Sequence, residues 1–190
     1  MKNSTKKSIV FTLLIIIAVA GCKKDKDQVT IPTSPTNEPE VMTTFKFTFI
    51  DSAGLAPTVT AEYRDPDGDG GNLFVQFDTI KLQTNKTYLT SVLILDETKN
   101  PVDTTSNEVL AEANDHLFFY TATGTNTAIT ILDYDTHPTP LPIGLHTKWK
   151  TTGASTGTTH VVLRHQPGVK DGSYAPGETD IDLTFQTKIE

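Results

Sequence analysis

Hydrophobic and polar residues alternate along this chain with a period of two over most of its length. Val41, Thr43, Phe45, Phe47 and Phe49 fall on one side of an extended segment, with Met42, Thr44, Lys46, Thr48 and Ile50 on the other. Residues 41–50 therefore read as a strand with an aromatic face. Val59, Ala61 and Tyr63 alternate with Thr60, Glu62 and Arg64, and Leu73, Val75 and Phe77 resume the pattern after a glycine-rich turn. Tyr88 to Leu95 is apolar on both sides, as in a central strand. Further strands are expected at 116–123, 127–134, 145–151, 158–165 and 179–189. In the last of these, Ile181, Leu183, Phe185 and Ile189 are expected to point inward and Asp180, Asp182, Gln186 and Lys188 outward. About nine short strands with Gly, Pro, Asp and Asn turns predict an all-β fold, a single β-sandwich of immunoglobulin-like or Greek-key type. One segment departs from the pattern. Thr105-Ser106-Asn107-Glu108 has the form of a capping box before Val109-Leu110-Ala111-Glu112-Ala113, which predicts one short helix, with an extended connection as the alternative.

The N-terminal region has a different pattern. Lys2, Lys6 and Lys7 precede an apolar run from Ile9 to Ala20, which ends in Ala18-Val19-Ala20-Gly21-Cys22. A charged start, an apolar stretch and a small-residue cleavage site are the parts of an export signal. The run is 12 residues, short of the ~20 that span a bilayer as a helix. A cysteine directly after Ala-Gly resembles the bacterial lipobox, so residues 1–21 are expected to be a signal peptide and Cys22 an acylated N-terminus. Residues 22–40 carry Pro32, Pro35 and Pro39 among polar residues. Such a composition buries too little surface to offset ordering entropy, and it predicts a disordered tether. The domain then occupies 41–190, a length suited to one core.

Charge narrows the partners. The chain has 16 basic and 23 acidic side chains. Without Lys2, Lys6 and Lys7 the count is 13 against 23, a formal −10. Nucleic-acid binding needs basic side chains to displace counterions, so no nucleic-acid partner is expected, whereas cation binding is compatible. With its only cysteine acylated, the chain has no thiol for a disulfide, a metal or a nucleophile.

Two constellations carry candidate chemistry. Asp65-Pro66-Asp67-Gly68-Asp69-Gly70 places alternate carboxylates in one turn, as a Ca²⁺ loop does, and Asp78 offers a further oxygen. The first six positions resemble an EF-hand loop. Position twelve is Gln76 rather than the bidentate Glu, and the flanks read as strands rather than helices. A plain acidic hairpin is the other reading. The second constellation is Glu112, Asp115 and His116 before one strand, His165 at the end of another, and Glu178 before the last. His165 shares its strand face with Val161 and Leu163 and should point toward the core. Imidazole with carboxylate suits Zn²⁺ or Cu²⁺. The alternative is a half-buried histidine that holds a loop by hydrogen bonds. His137, His146 and His160 show no ligand pattern. There is no Gly-x-Ser-x-Gly, phosphate loop, His-Glu-x-x-His or dinucleotide glycine motif, so no catalytic residue is assigned and the chain is not read as an enzyme.

The lipobox, Arg64-Asp65 with Asp67-Gly68-Asp69-Gly70-Gly71, Asp115-His116 before Phe119-Tyr120, Leu163-Arg164-His165 with Pro167, and Gly177-Glu178-Thr179-Asp180 together resemble a family of small Bacteroidota lipoproteins. The resemblance covers nearly the whole chain after Cys22. It implies a cell-envelope, outer-membrane lipoprotein, and it leaves the activity open. Some members are labelled type 1 periplasmic binding fold or GTP cyclohydrolase. The first is a longer two-lobed α/β protein, and the second needs zinc ligands in a different fold. The leading expectation is a non-catalytic, membrane-anchored binding module for a metal ion or small nutrient, working with an outer-membrane receptor. A structural or adhesive surface domain is the alternative, and a metal-dependent hydrolase ranks last.

Overall fold

A computed structural model describes residues 41–68 and 74–190. The expected signal segment 1–21, Cys22, the tether 22–40 and Asp69 lie outside the described residues. Ten strands and one helix follow one another as β1 (Thr44–Asp51), β2 (Val59–Arg64), β3 (Gln76–Phe77), β4 (Ile80–Leu82), β5 (Thr87–Leu95), α1 (Thr105–Ala111), β6 (His116–Thr123), β7 (Thr127–Ile131), β8 (His146–Thr151), β9 (Ser155–His165) and β10 (Glu178–Ile189). They form two packed sheets, a six-stranded one in the order β3-β2-β1-β5-β8-β7 and a four-stranded one in the order β4-β10-β9-β6. The fold is the expected all-β sandwich. The run β3-β2-β1-β5 has Greek-key order, in which a later strand returns to lie beside the first. Here β4 leaves that run and pairs in parallel with β10 in the opposite sheet.

The core follows from the alternation in β1. Phe45, Phe47 and Phe49 are fully buried. Phe47 lies 4.9 Å from Phe45, 5.6 Å from Trp149 and 5.4 Å from Phe185, so one aromatic face joins β1, β8 and β10. Each such ring contributes roughly 1.5–3 kcal/mol through burial. Trp149 is fully enclosed and places its indole N–H on Thr147 Oγ1 at 2.8 Å, which satisfies its one donor. In β10, Ile181, Leu183, Phe185 and Ile189 are buried as expected, and Asp182, Gln186 and Lys188 are exposed.

Three details differ from the sequence reading. Of the strand expected across 73–77, Leu73 lies outside the described residues and β3 covers Gln76–Phe77, and β4 was not anticipated. Among the expected helix signals, the capping box is not formed: α1 is capped by Thr104, with no side-chain capping bond, and the Thr105 hydroxyl donates instead to the Val41 carbonyl at 3.4 Å. Asp180, expected outward, has a side chain only 2% exposed. Among the described residues no helix is long and apolar enough to cross a membrane.

Candidate metal centre

The site lies where β6 begins, β9 ends and β10 begins. α1 runs out at Glu112, and the Asp115 N–H donates to the Glu112 carbonyl, closing a turn that starts β6 at His116. His116 then stands directly opposite His165 in the antiparallel β6–β9 ladder. Both side chains share the face that carries Phe118 and Leu163 into the core, so both rings point inward. Their planes are 4° apart with centroids at 4.5 Å. Glu112, His116 and His165 each place a ligand atom within 4.8 Å of the others.

The hydrogen bonds determine which atoms remain available. His116 Nδ1 lies 3.1 Å from the Glu112 backbone carbonyl. A carbonyl only accepts, so Nδ1 carries the proton and Nε2 carries the lone pair. That nitrogen is buried without a hydrogen-bond partner, as are His165 Nδ1 and Asp180 Oδ2. Asp180 Oδ2 faces His116 Nε2 at 3.8 Å, beyond hydrogen-bond reach. Arg164 Nε and Gln166 Oε1, on neighbouring residues, are also unpartnered. Buried polar atoms are nearly always satisfied, and the orphaned atoms of His116, His165 and Asp180 are exceptions to that rule.

Asp180 arrives there through a bulge. The β9–β10 register pairs Thr179 with Arg164 and Ile181 with Leu163, which leaves Asp180 as the extra residue between them. A bulge re-aims a side chain that simple alternation would send outward. Glycine makes the approach possible. Gly177 has φ +75°, and a Cβ there would lie 2.0 Å from the His165 carbonyl oxygen.

Electrostatics follow burial. Desolvation pushes the His116 imidazole down to about 4, aided by the charges of His165 and Lys170 and opposed by its bond to the Glu112 carbonyl and by Asp115. Desolvation pushes the Asp180 carboxyl up to about 6, with Glu178 adding to the rise and His165 and Arg164 opposing it. His116 is thus neutral, the form that ligates a metal.

A second buried group supports the first. Lys170 Nζ, fully enclosed, donates to the Ala113 carbonyl at 2.8 Å and to Asp135 Oδ2 at 2.9 Å. His137 Nδ1 meets the same carboxylate oxygen at 2.8 Å. Burial alone would raise Asp135, but bonds from Lys170, the Leu141 N–H and His137 outweigh it and hold the carboxyl well below its usual range. The ion pair straps the loop after β9 to the loop after β7, and the bond to Ala113 ties the same ammonium to the turn before β6.

Of the residues singled out in sequence, Glu112, His116 and His165 come together. Asp115 lies next to them but serves the loop: its Oδ1 accepts the Gly168 N–H at 3.1 Å and its carbonyl accepts the Gln166 N–H at 2.6 Å. Glu178 stands across from His165 in the ladder, exposed and outside the trio. Arg164 directs its guanidinium to Thr179 Oγ1 and to the Pro176 and Gly177 carbonyls, with Tyr174 stacked 4.9 Å away. Asp180, expected outward from the sequence, is buried beside His116.

The aspartate loop is arranged differently. The Asp65 carbonyl accepts the Gly68 N–H at 3.1 Å, a tight turn. Asp78 Oδ2 accepts the Glu62 N–H at 3.0 Å and the Gln76 side-chain amide at 3.1 Å, closing the β2–β3 connection. Asp67 is exposed. Among the described residues Asp65, Asp67 and Asp78 do not form a three-ligand group. Comparison with family models, with curated proteins and with solved structures finds no match for the chain.

Proposed function

We propose that this chain is a non-catalytic binding module, held in the cell envelope by an acylated Cys22, and that it takes a divalent transition-metal ion, Zn²⁺ or Cu²⁺, at the His116–His165 site for an outer-membrane uptake system. The observation that carries the reading is the trio of ligand atoms within 4.8 Å, set among buried nitrogens and oxygens that have no partner. Neutral imidazole with carboxylate is the donor set such ions prefer. The His116 Nδ1–H bond to a backbone carbonyl is the outer-shell contact that orients metal-ligating histidines. The lipobox and the tether supply the envelope setting.

The test is metal analysis of untagged protein purified without chelator, followed by calorimetric titration with Zn²⁺ and Cu²⁺. One ion per chain is expected, with loss of binding in His116→Ala and His165→Ala and none in His160→Ala. Protein that carries no ion and whose thermal unfolding is the same with Zn²⁺, Cu²⁺ or chelator would refute it.

A further inference from the structure

Resting on the metal-binding reading, the geometry points to Asp180 as the inner carboxylate ligand: as the side chains stand, Glu112, His116 and His165 bring ligand atoms within 4.8 Å of one another without it, and Asp180 Oδ2, 3.8 Å from His116 Nε2, joins the two histidines when an ion draws the buried side chains together, with Glu112 as the outer ligand through which the ion enters and leaves. Asp180 and Glu112 differ in position. The Asp180 side chain is 2% exposed, and its Oδ2 is buried without a hydrogen bond. Glu112 is exposed.

The distance separates the alternatives. With the proton of His116 on Nδ1, both Nε2 and an ionised Asp180 Oδ2 are acceptors. Two acceptors buried face to face at 3.8 Å repel unless a cation lies between them. Ligand atoms about 2.0–2.1 Å from a tetrahedral Zn²⁺ stand roughly 3.3–3.4 Å apart. Closing 3.8 Å to that value is a movement of a few tenths of an ångström. His165 joins by tilting. Rings 4° from parallel aim their in-plane lone pairs side by side, so one ring must turn to share an ion. His116 is pinned by its Nδ1 bond, whereas His165 Nδ1 has no hydrogen bond to resist rotation.

The β10 bulge therefore has a purpose in this arrangement. It delivers a carboxylate to a wall that alternation would leave to a solvent-facing residue. Buried His116, His165 and Asp180, with Glu112 exposed, suit an ion that is loaded and handed on.

Zn²⁺ and Co²⁺ titrations of the full chain test the placement. Asp180→Asn should weaken Zn²⁺ binding by more than the ~10–100-fold expected of an outer-shell contact and should change the visible spectrum of bound Co²⁺. Asp182→Asn, two residues along, should change neither. Glu112→Gln should leave most of the affinity and alter the rate of Zn²⁺ transfer to a chelator. Asp180→Cys gives a check independent of affinity: a thiolate-to-Co²⁺ charge-transfer band, absent from the parent chain, is expected if residue 180 ligates. An unchanged Co²⁺ spectrum in Asp180→Asn, or no such band in Asp180→Cys, overturns the assignment of Asp180. If His116→Ala still abolishes binding in that case, the metal-binding reading survives. Absence of Zn²⁺ and Co²⁺ binding by the parent chain overturns both.

Discussion

Replacing Asp180 by asparagine in metal-free protein should make stability depend on pH in a defined direction. Folded His116 titrates near 4 against an ordinary 6.5. Its contribution is complete above pH 6.5 and is lost as pH falls toward 4, because the unfolded chain takes up the proton first. At ~1.4 kcal/mol per pH unit this amounts to about 3 kcal/mol. Folded Asp180 titrates near 6 against an ordinary 3.8. Its contribution has the opposite sense: complete below pH 3.8 and lost as pH rises through 6, again about 3 kcal/mol. In the parent chain the two slopes offset each other between pH 4 and 6. Asp180→Asn removes one of them. The variant should be more stable than the parent at pH 7, by up to about 3 kcal/mol, and the difference should close as pH falls to 4. Urea unfolding followed by Trp149 fluorescence, with chelator present, measures this, since the single tryptophan is buried in the core. A parent–variant difference that is constant from pH 4 to 7, or that grows toward acid, would refute the reasoning.

Three further outcomes are expected. Lys170→Met leaves Asp135 a buried carboxylate without its ammonium, which should cost about 3–5 kcal/mol, whereas Lys170→Met combined with Asp135→Leu should recover part of the loss; chemical denaturation of both variants decides. Gly177→Ala forces a Cβ against the His165 carbonyl and should lower the melting temperature and weaken Zn²⁺ binding together, whereas Gly54→Ala, with open space around its Cβ, should not affect binding. Cys22→Ser should move the protein from the membrane to the soluble fraction or leave it unprocessed, and a parent chain that takes up no labelled palmitate would exclude acylation.

The sandwich was legible because β1 and β10 state their faces plainly: three phenylalanines at spacing two, and Ile181, Leu183, Phe185 and Ile189 against charged neighbours. β4 was not, because Ile80-Lys81-Leu82 is too short for a period to be counted. The inward aim of His165 could be read from Val161 and Leu163. That His116 would face it depends on ladder register, which side chains 49 positions apart do not encode locally. Asp180 was read outward because alternation from Ile181 puts it there, and the bulge that reverses it is a product of pairing with β9. The Lys170–Asp135 pair has no local signal either, as the partners are brought together by tertiary packing alone.

The position of β10 constrains the order of assembly. Residues 178–189 occupy the interior of the four-stranded sheet, antiparallel to β9 on one side and parallel to β4 on the other. A chain threaded from its N-terminus cannot close that sheet until these residues are available, and pairing β4 with β10 closes a loop of about a hundred residues. Non-local pairing of this kind slows folding and leaves strand edges open in the meantime. Until β10 docks, His116 and His165 lack Asp180 beside them, so the proposed centre is complete only once β10 has paired.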